Sequence, residues 1–321
     1  MLSVPHSPPL VSIALCVHNG GGYLREQMES LLAQSESRIE IVALDDASTD
    51  RSAAVLHEFA ARDPRVRVFG NARNLGPQCS FERAMSLGRG DFIALSDQDD
   101  IWHPQKLEKL LAVIGDHDLA YCDSQYIDAD GAPSGRRISD DLDMARGQVP
   151  LRLVCSNSVS GHAALLRRSL FEAARPFPDE VFHDWWLAIR AAAGNGLIYL
   201  DEPLVRFRRH DGAITGLGRR RGRPLPDRHR AWLEQRRSIL AALHRRLRDD
   251  ADQARWLGAL DDALSGGSPW PLFRELWRER EAAPPGSRPA MLDALRLHLR
   301  FVRKLRRARA ARPPAARDAV R

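Results

Sequence analysis

Short, continuous apolar runs separated by helix-like segments constrain the fold of this chain more than any other feature of its sequence. Strands without alternation of apolar and polar residues are typical of parallel sheets that are buried on both faces. Strands that alternate with helices form the βαβ units of such a sheet. The sequence therefore predicts an α/β fold in which helices cover both faces of a mostly parallel sheet. The runs lie at residues 11–17, 39–46, 66–69, 91–97 and 119–123.

Local signals place helices between these runs. Leu24, Met28 and Leu31 follow one another at helical spacing. A second helix is predicted over residues 51–62, after the capping residues of the segment STD, and a third over 80–90, where it ends at glycine. The alternation of strand and helix therefore continues through the first third of the chain.

Carboxylates collect where two of the predicted strands end. Asp45 and Asp46 end one strand, and Asp97, Asp99 and Asp100 follow another. Buried carboxylates are costly without partners and repel one another when they are crowded. In parallel α/β sheets, ligands bind beyond the carboxyl ends of the strands. The acidic strand ends are therefore the candidate functional site.

The chain lacks the usual phosphate-binding loops. Its glycine-rich segment HNGGGYL, residues 18–24, does not place glycines in the GxGxxG register, and GxxxxGK[ST] does not occur. A bound diphosphate then needs another counter-charge, and Mg²⁺ is usually held by one or two carboxylates together with substrate phosphates. The acidic cluster at 97–100 therefore predicts a divalent cation that bridges a nucleoside diphosphate. The alternative is a solvated acidic loop in which Asp100 caps the helix near Pro104.

Composition and cysteine usage indicate a globular, reduced protein. Of the 321 residues, 44% are hydrophobic and 28% charged, as expected for a chain with a real core. The four cysteines form no CxxC pair, which favours buried thiols over disulfides or a zinc site. The first residues lack the pattern of a signal peptide, and no apolar run approaches the ~20 residues that span a bilayer. We therefore expect a cytoplasmic protein.

The net charge of +6 hides an asymmetry along the chain. Residues 1–215 contain 22 Lys and Arg against 30 Asp and Glu, a balance of −8. Residues 216–321 contain 26 against 12, a balance of +14. Basic segments bind the phosphate groups of nucleic acids or anionic lipids, or they bind acidic partners.

The basic part of the chain is predicted to be helical up to its end, where residues 311–321 are predicted to be disordered. The last helix has an apolar stripe beside many arginines, so two interpretations stay open. The helix lies on an anionic membrane surface, or it packs on the catalytic domain through its stripe and leaves a solvated basic face. The stripe consists of Leu292, Leu295, Leu299 and Val302.

Several segments, in their order along the chain, resemble the family 2 glycosyltransferases, and most of all their bacterial rhamnosyltransferase-like branch. They include VALDDASTD, ALSDQDDIW, SGHAALL, HDWW and RFRRHDG, and the resemblance covers about residues 10–216. It implies a GT-A fold, in which a Rossmann-like nucleotide-binding sheet is joined to an acceptor-binding part. The implied domains are a catalytic domain over 1–216, with its nucleotide-sugar-binding half at about 10–125 and its acceptor-binding half at about 126–216, and a basic helical C-terminal extension over 217–321.

The resemblance also implies which residues bind the donor and the metal. Asp45 matches the aspartate that hydrogen-bonds a pyrimidine base, which implies a UDP- or dTDP-linked sugar. Asp97 and Asp99 match the DxD motif and Asp100 extends it, so these three are the implied ligands of Mg²⁺ or Mn²⁺, and Asp97 also contacts the donor. His18 stands where the family commonly has tyrosine. The other implied donor-binding residues are Val17, His18, Asn19, Arg73, Asn74, Arg208 and His210.

For the chemistry, the resemblance points to the second half of the catalytic domain. Asp184 matches the family's general base, which takes the proton of an acceptor hydroxyl as that hydroxyl attacks. The alternative is that Asp184 only caps the helix that follows. His162 and at least one of the two tryptophans of HDWW also suit a buried core. The residues implied at the acceptor site are Gly161, His162, His183, Trp185 and Trp186.

Together these features predict a metal-dependent, inverting glycosyltransferase with a glycan or lipid-linked acceptor. We expect it to build a bacterial surface polysaccharide or glycolipid at the inner face of the cytoplasmic membrane. One alternative is a sugar-phosphate nucleotidylyltransferase, which would need a glycine-rich phosphate loop with basic residues near the N-terminus. A nucleic-acid-binding protein is the other, but the acidic body and the lack of aromatic residues interleaved with the basic ones argue against a nucleic-acid partner.

Overall fold

Strands and helices alternate through the part of the chain that the structure describes. The structure is a computed structural model and describes residues 9–179, 181–210, 225–246, 251–281 and 290–310. Its strands are β1 (Val11–Val17), β2 (Ile39–Asp45), β3 (Val66–Gly70), β4 (Phe92–Ser96), β5 (Ile101–Trp102), β6 (Leu119–Ile127), β7 (Pro133–Arg137), β8 (Ala164–Arg167) and β9 (Leu197–Arg208). Its helices are α1 (Leu24–Leu32), α2 (Ser52–Arg62), α3 (Gly76–Leu87), α4 (Lys106–Val113), α5 (Pro150–Cys155), α6 (Arg168–Ala174), α7 (His183–Ala193), α8 (Leu225–Arg246), α9 (Ala251–Ser265), α10 (Trp270–Glu281) and α11 (Ala290–Ala310), and 3₁₀ turns cover Ile138–Asp140 and Gly161–Ala163.

The described strands form one sheet whose core is parallel. The strand order is β3-β2-β1-β4-β8-β6-β9-β5, and β7 pairs with β6. Strands β1 to β4 are parallel to their neighbours within this group, whereas β8 runs antiparallel to both β4 and β6. The predicted α/β fold is therefore confirmed. Strands β5, β7, β8 and β9 lie where the sequence predicted no strand.

The register of the parallel core brings the acidic strand ends together. Every residue of β4 is buried, and β1 is buried except for the half-buried Cys16. Val17 of β1 lies opposite Asp45 of β2, and Leu15 lies opposite Ser96 of β4. The carboxyl ends of β1, β2 and β4 therefore lie side by side at one end of the sheet, which we call its carboxyl edge. The predicted site residues that follow these strands lie there.

Two helix boundaries differ from the sequence prediction. Helix α3 begins at Gly76 rather than at residue 80, because Pro77 fits a first turn, where the backbone N–H has no helical partner. Helix α4 begins after β5, and its N-cap residue is Gln105. The alternative in which Asp100 caps this helix is therefore wrong.

The chain divides into two compact units. The first extends to His210 and contains the sheet, and the second contains α8 to α11 together with Val154–Ser156. The predicted domain boundary at residue 216 and the predicted disordered end at 311–321 lie outside the described residues. Among the described helices, none has both the length and the apolar content that crossing a bilayer requires.

Helix α11 packs within the second unit through a face that differs from the predicted stripe. Phe301 lies edge-on to Trp232 of α8, with 5.1 Å between the ring centroids. Of the predicted stripe, Leu299 is 57% exposed, Leu295 and Val302 are half-buried, and the side chain of Leu292 is outside the described residues. The side chains of α11 that are buried are Ala294, His298, Phe301, Leu305 and Ala308.

Candidate functional site

Asp46 organises the loops at the carboxyl edge of the sheet. Its side chain is buried, and its Oδ1 accepts hydrogen bonds from Asn71 Nδ2 at 2.6 Å and from the backbone N–H of Leu75 at 2.8 Å. Its Oδ2 accepts from the N–H of Gly76 at 2.9 Å. Asp46 therefore has its oxygens occupied and fixes the turn that leads into α3.

Asp45, in contrast, keeps its carboxylate available. It is half-buried, and both of its oxygens lie 3.3 Å from the backbone N–H of Ser48, a long distance for a hydrogen bond. The end of β1 runs beside it, because Val17 is its partner in the parallel register. An accessible acceptor next to an apolar strand end is a suitable place for the N–H edge of a base.

The segment after β1 is held in place by side chains of neighbouring loops. The backbone N–H of His18 donates to Gln98 Oε1 at 2.8 Å, and His18 Nδ1 lies 2.9 Å from the carbonyl oxygen of Asp46. Asn19 has a φ of 52°, and its Oδ1 accepts from the N–H of Thr49 at 2.8 Å. The predicted donor residues Val17, His18 and Asn19 are therefore brought next to Asp45.

Two carboxylates and one imidazole converge beyond β4. The nearest ligand atoms of Asp97, Asp100 and His162 all lie within 4.8 Å of one another. His162 Nδ1 is 3.7 Å from Asp97 Oδ2 and 3.6 Å from Asp100 Oδ2. We call these three residues the carboxylate–imidazole cluster. Its oxygen and nitrogen atoms are a set that can bind a divalent cation.

Asp100 provides the observation that fits a cation best. Its side chain is fully buried, and its Oδ1 accepts a hydrogen bond from the backbone N–H of Arg208 at 3.0 Å. Its Oδ2 is buried as well but has no hydrogen-bond partner among the described residues. A buried carboxylate oxygen that accepts no hydrogen bond is costly unless a charged group or a ligand lies beside it. The side chain of Asp97 is 44% exposed, which leaves the cluster open to solvent.

Electrostatics in the cluster couple the carboxylates to His162: burial lowers the pKa of His162, but Asp100 and Asp97 outweigh burial and raise it. Burial raises the pKa of Asp100 to about 7, and the neighbouring Asp97 and Asp99 carboxylates add to the rise, while His162 opposes it. A bound divalent cation would favour the ionised carboxylate and reverse this rise.

His162 is oriented toward the carboxylates by its other contacts. Its Nε2 lies 2.9 Å from Ser124 Oγ, and its ring stacks on Phe207 at 4.6 Å between centroids. A metal-binding imidazole commonly donates its second ring N–H to an oxygen in this way. The sequence assigned His162 to the acceptor site, whereas the structure places it in the carboxylate–imidazole cluster.

Lys106 lies under this cluster and was missed by the sequence analysis. It is fully buried, its Nζ donates to the carbonyl oxygen of His162 at 2.5 Å, and the ammonium lies 3.0 Å from the ring centroid of Trp102. Burial lowers its pKa to about 7, against the opposing effect of Asp100 and Asp97. The available signal was a lysine on the otherwise apolar, sheet-facing side of α4.

Asp99 and Arg208 make contacts that differ from their predicted roles. Asp99 does not belong to the cluster, because its Oδ2 lies 2.8 Å from His210 Nε2. Arg208 is 2% exposed, and its guanidinium donates to the carbonyl oxygens of Asp99 and Ala129, both at 2.9 Å, and to Glu26 Oε2 at 2.6 Å. These contacts do not support a diphosphate contact by Arg208. They make it a residue that fixes the end of β9.

Arg73 and Asn74 are exposed at the same edge of the sheet. Asn74 Oδ1 accepts from the N–H of Gly76 at 2.9 Å and so shapes the start of α3. Arg73 forms no hydrogen bond within the part of the chain that the structure describes. Donor contacts by these two residues and by His210 stay predictions.

Asp184 occupies the first turn of α7, facing the 3₁₀ turn that carries His162. Its Oδ1 accepts from the N–H of Trp185 at 2.7 Å, and its Oδ2 accepts from the N–H of Gly161 at 3.2 Å. A Cβ on Gly161 would lie 3.3 Å from the Cβ of Asp184, so glycine permits the close approach of these two elements. Asp184 is half-buried, which leaves part of its carboxylate available.

The other predicted acceptor residues are largely buried. His183 is 7% exposed and stacks on Phe81 with 4.0 Å between ring centroids. Trp185 is 7% exposed and Trp186 is fully buried, and their indole N–H groups donate to backbone carbonyl oxygens at 2.8 and 3.0 Å. The prediction that the two tryptophans stack on a sugar is therefore corrected. Their rings are already packed in the core.

Comparison with known proteins agrees with this arrangement. The family described as "Glycosyl transferase family 2" matches residues 12–174, half of the chain. The chain is 30% identical over 220 residues to the putative glycosyltransferase EpsH of Bacillus subtilis, covering 64% of this chain and 63% of that protein. It is 29% identical over 211 residues to an uncharacterised protein of Mycobacterium tuberculosis, covering 64% of this chain and 60% of that one. The chain thus spans less than two thirds of the length of these relatives.

Solved structures show the same fold at low sequence identity. TarS 1–349 of S. aureus, solved in complex with UDP-GlcNAc, matches with a TM-score of 0.58 and 17% identity over 94% of this chain and 89% of that one. The mannosyltransferase PcManGT from Pyrobaculum calidifontis, solved with GDP-Man and Mn²⁺, matches with a TM-score of 0.54 and 17% identity over 96% and 87%. With the family match, these neighbours show that the chain belongs to the family 2 glycosyltransferases and has a GT-A fold.

Proposed function

We propose that this protein is a metal-dependent, inverting glycosyltransferase that transfers a sugar from a nucleoside diphosphate donor to a glycan or lipid-linked acceptor. The carboxylate–imidazole cluster carries this proposal, because a fully buried Asp100, one of whose oxygens accepts no hydrogen bond from the described residues, lies at the carboxyl edge of the sheet. Asp184 lies beside the same 3₁₀ turn that provides His162. One short segment therefore contacts both the cluster, through His162, and the candidate base, through Gly161.

The donor is proposed to lie along the edge of the sheet with its base at Asp45. A carboxylate only accepts hydrogen bonds, so it selects a base that presents a ring N–H, as uracil and thymine do. We therefore favour a UDP- or dTDP-linked sugar. UDP-GlcNAc and GDP-Man are bound by the structural neighbours TarS and PcManGT, respectively, which supports a nucleotide sugar as the class of donor.

Asp97, Asp100 and His162 would hold the cation. Two carboxylates and an imidazole are a softer set than oxygen atoms alone, so we propose Mn²⁺ ahead of Mg²⁺. When bound, the cation stabilises the negative charge of the departing diphosphate. A direct ligand role for Asp99 stays a prediction, because Asp99 is paired with His210 in this structure.

Asp184 is proposed to activate the acceptor. An acceptor hydroxyl becomes an effective nucleophile as its proton passes to a nearby carboxylate. The oxygen then bonds the anomeric carbon while the bond to the diphosphate breaks on the opposite face, which inverts the configuration. The N–H of Gly161 keeps the Asp184 carboxylate oriented.

The contacts of the glycine-rich segment argue against a nucleotidylyltransferase. Such an enzyme needs free backbone N–H groups around a phosphate. Here the N–H of Gly20 donates to Ser52 Oγ at 2.9 Å, and that of Gly21 donates to Asp50 Oδ2 at 3.0 Å. These donors are already used by the protein.

We propose that the product is a bacterial surface polysaccharide or glycolipid made at the inner face of the cytoplasmic membrane. Rhamnose is the sugar that the sequence resemblance favours. The acceptor is a growing glycan or a lipid-linked sugar, which such a location would supply.

A screen of UDP-, dTDP- and GDP-linked sugars for release of the nucleoside diphosphate tests the proposal before any acceptor is known. We expect one donor class to be hydrolysed slowly with Mn²⁺ and not with EDTA, and Asp100→Asn to lose this activity. Asp116→Asn is the matched control, because Asp116 is an exposed carboxylate outside the cluster. Unchanged hydrolysis in EDTA, or synthesis of a nucleotide sugar from a nucleoside triphosphate, would contradict the proposal.

A further inference from the structure

Helix α11 has a strongly basic surface. Its 21 residues contain seven Lys or Arg and one Asp, a balance of +6. Ion pairs in the described part of the second unit join Arg255 and Arg278 to Glu275, and none of them involves Arg300, Arg303, Arg306 or Arg307. These four arginines of α11 are exposed.

An apolar strip runs along α11 between its buried face and these arginines. Leu295, Leu299 and Val302 follow one another at spacings of four and three residues, so they share one side of the helix. Leu299 is 57% exposed, and the other two are half-buried. Since the buried face already packs within the unit, this strip is additional apolar surface beside the basic residues.

Trp270 extends the same strip from the neighbouring helix. It is the first residue of α10 and is 64% exposed. Its ring stacks on that of His298 with 6.0 Å between centroids, and His298 lies three residues after Leu295 and four before Val302. A tryptophan at the border of apolar and polar surface is the usual anchor at a membrane–water interface.

We propose that Trp270 and the Leu295–Leu299–Val302 strip form a membrane-binding face, with the arginines of α11 contacting anionic phospholipid headgroups. Apolar side chains flanked by cationic ones match the two layers of a membrane surface, acyl chains and phosphates. The long aliphatic stems of arginine allow the guanidinium groups to reach the headgroups while the apolar strip is inserted. The face deepens the proposed function, since it would bring the enzyme to a lipid-linked acceptor.

Flotation of the full-length protein with vesicles tests the proposal. We expect binding to phosphatidylglycerol-rich vesicles, weak binding to pure phosphatidylcholine vesicles, and release between 0.1 and 1 M salt, where the Debye length falls from about 10 to about 3 Å. The double variant Arg300→Gln/Arg303→Gln should bind about 30-fold more weakly, because each basic residue near the surface contributes about fivefold.

Apolar insertion has its own test and matched controls. Trp270→Ala and Leu299→Ala should each weaken vesicle binding, whereas Leu142→Ala, an exposed leucine of the first unit that is 37% accessible, should not. Arg51→Gln/Arg62→Gln removes the same charge from the first unit and should leave binding unchanged. Quenching of tryptophan fluorescence by lipids with brominated acyl chains should fall in Trp270→Phe.

Several outcomes would overturn the membrane-binding face. Equal binding to neutral and anionic vesicles, equal loss in the control variants, or binding to single-stranded RNA without binding to vesicles would each do so. The measurement needs no sugar donor, so it can fail or succeed independently of the proposed activity. Asp184→Asn, which should remove transfer, should float with vesicles as the wild type does.

Discussion

Asp45 and Asp46 are neighbours in sequence but have different environments. The oxygens of Asp46 accept three well-formed hydrogen bonds from Asn71, Leu75 and Gly76, whereas within the described part of the chain those of Asp45 receive only long contacts from Ser48. A carboxylate whose acceptors are used stabilises the fold. A carboxylate whose acceptors are free is available to a ligand.

Substitution of each aspartate by asparagine separates these two roles. Asp46→Asn should lower the free energy of unfolding by about 1–3 kcal/mol, because an amide group then faces backbone N–H donors. Asp45→Asn should leave stability almost unchanged but weaken binding of the donor nucleotide by about 10- to 100-fold. Urea denaturation and calorimetric titration measure the two effects. The opposite pattern would show that Asp45 is structural.

Asp184→Asn tests the candidate base. Asparagine retains an oxygen that can accept from the N–H of Gly161, so the turn and the helix should stay intact. Turnover of the donor, with an acceptor or with water, should fall by about 10²–10⁴-fold, while the affinity for the donor stays within about twofold. Steady-state kinetics and donor titration measure the two quantities.

The matched control for this variant is Asp179→Asn, an exposed carboxylate in the segment that precedes α7. It should retain full turnover. The loss of a general base reduces the rate by about 10²–10⁴-fold. If Asp184→Asn retains more than about a tenth of wild-type turnover, the reduction is too small for a general base, and Asp184 only stabilises the helix start.

Among the secondary-structure elements, Glu40 joins the first three strands of the sheet. It lies in β2, with its carboxylate accepting from Ser12 Oγ of β1 and from Arg67 Nη1 of β3, both at 2.8 Å, and from the N–H of Arg89. Burial alone would raise its pKa, but these donors outweigh burial and lower it below the ordinary value of 4.5.

Glu40→Gln should therefore destabilise the protein in a pH-dependent way. Since the folded pKa is lowered, the carboxylate contributes its full stabilisation above about pH 4.5, and this contribution is lost as the pH falls through the folded pKa. At pH 7 we expect a loss of roughly 1–3 kcal/mol. Thermal unfolding measured across this pH range should show that the difference in stability between the wild type and Glu40→Gln becomes smaller as the pH falls.

The exposed Glu29 of α1 is the control, since Glu29→Gln makes the same charge change without these partners. It should alter stability by less than about 0.5 kcal/mol at any pH. If the difference in stability between the wild type and Glu40→Gln stays constant down to acid pH, the role assigned to the Glu40 carboxylate is contradicted.

The strands of the parallel core could be predicted from sequence because their burial on both faces leaves a continuous apolar pattern. The short β5 and β8 could not, since two to four residues carry too little pattern. The tryptophans of α7 were ambiguous for a related reason. Helix α7 is buried on most of its sides, so its pattern does not distinguish a core side from a ligand-facing side.

Which carboxylate faces the cation site also depends on distant residues. Asp99 is paired with His210, and Asp100 accepts from Arg208, more than 100 positions later in the chain. A local motif gives the acidic cluster but not these partners. The position of His162 beside the carboxylates, and of Lys106 beneath it, requires the fold of the first unit.

For the molecule as a whole, the chain divides into two compact units whose sequences differ in net charge. The acidic first unit contains the sheet and the proposed catalytic residues, and the second unit contains the helices α8 to α11, of which α8 and α11 are basic. The sequence predicted this separation of charge. It could not predict which face of α11 is buried, because buried and exposed apolar residues lie side by side on that helix.

The central claim is that the carboxylate–imidazole cluster holds a cation to which the donor diphosphate binds. The most direct test is calorimetric titration of the full-length protein with UDP, dTDP and GDP, in Mn²⁺ and in EDTA, for the wild type and Asp100→Asn. We predict that a pyrimidine diphosphate binds the wild type only with Mn²⁺, and at least about tenfold more weakly to a folded Asp100→Asn. Equal affinity of the wild type in Mn²⁺ and in EDTA, with no change in Asp100→Asn, would contradict the claim.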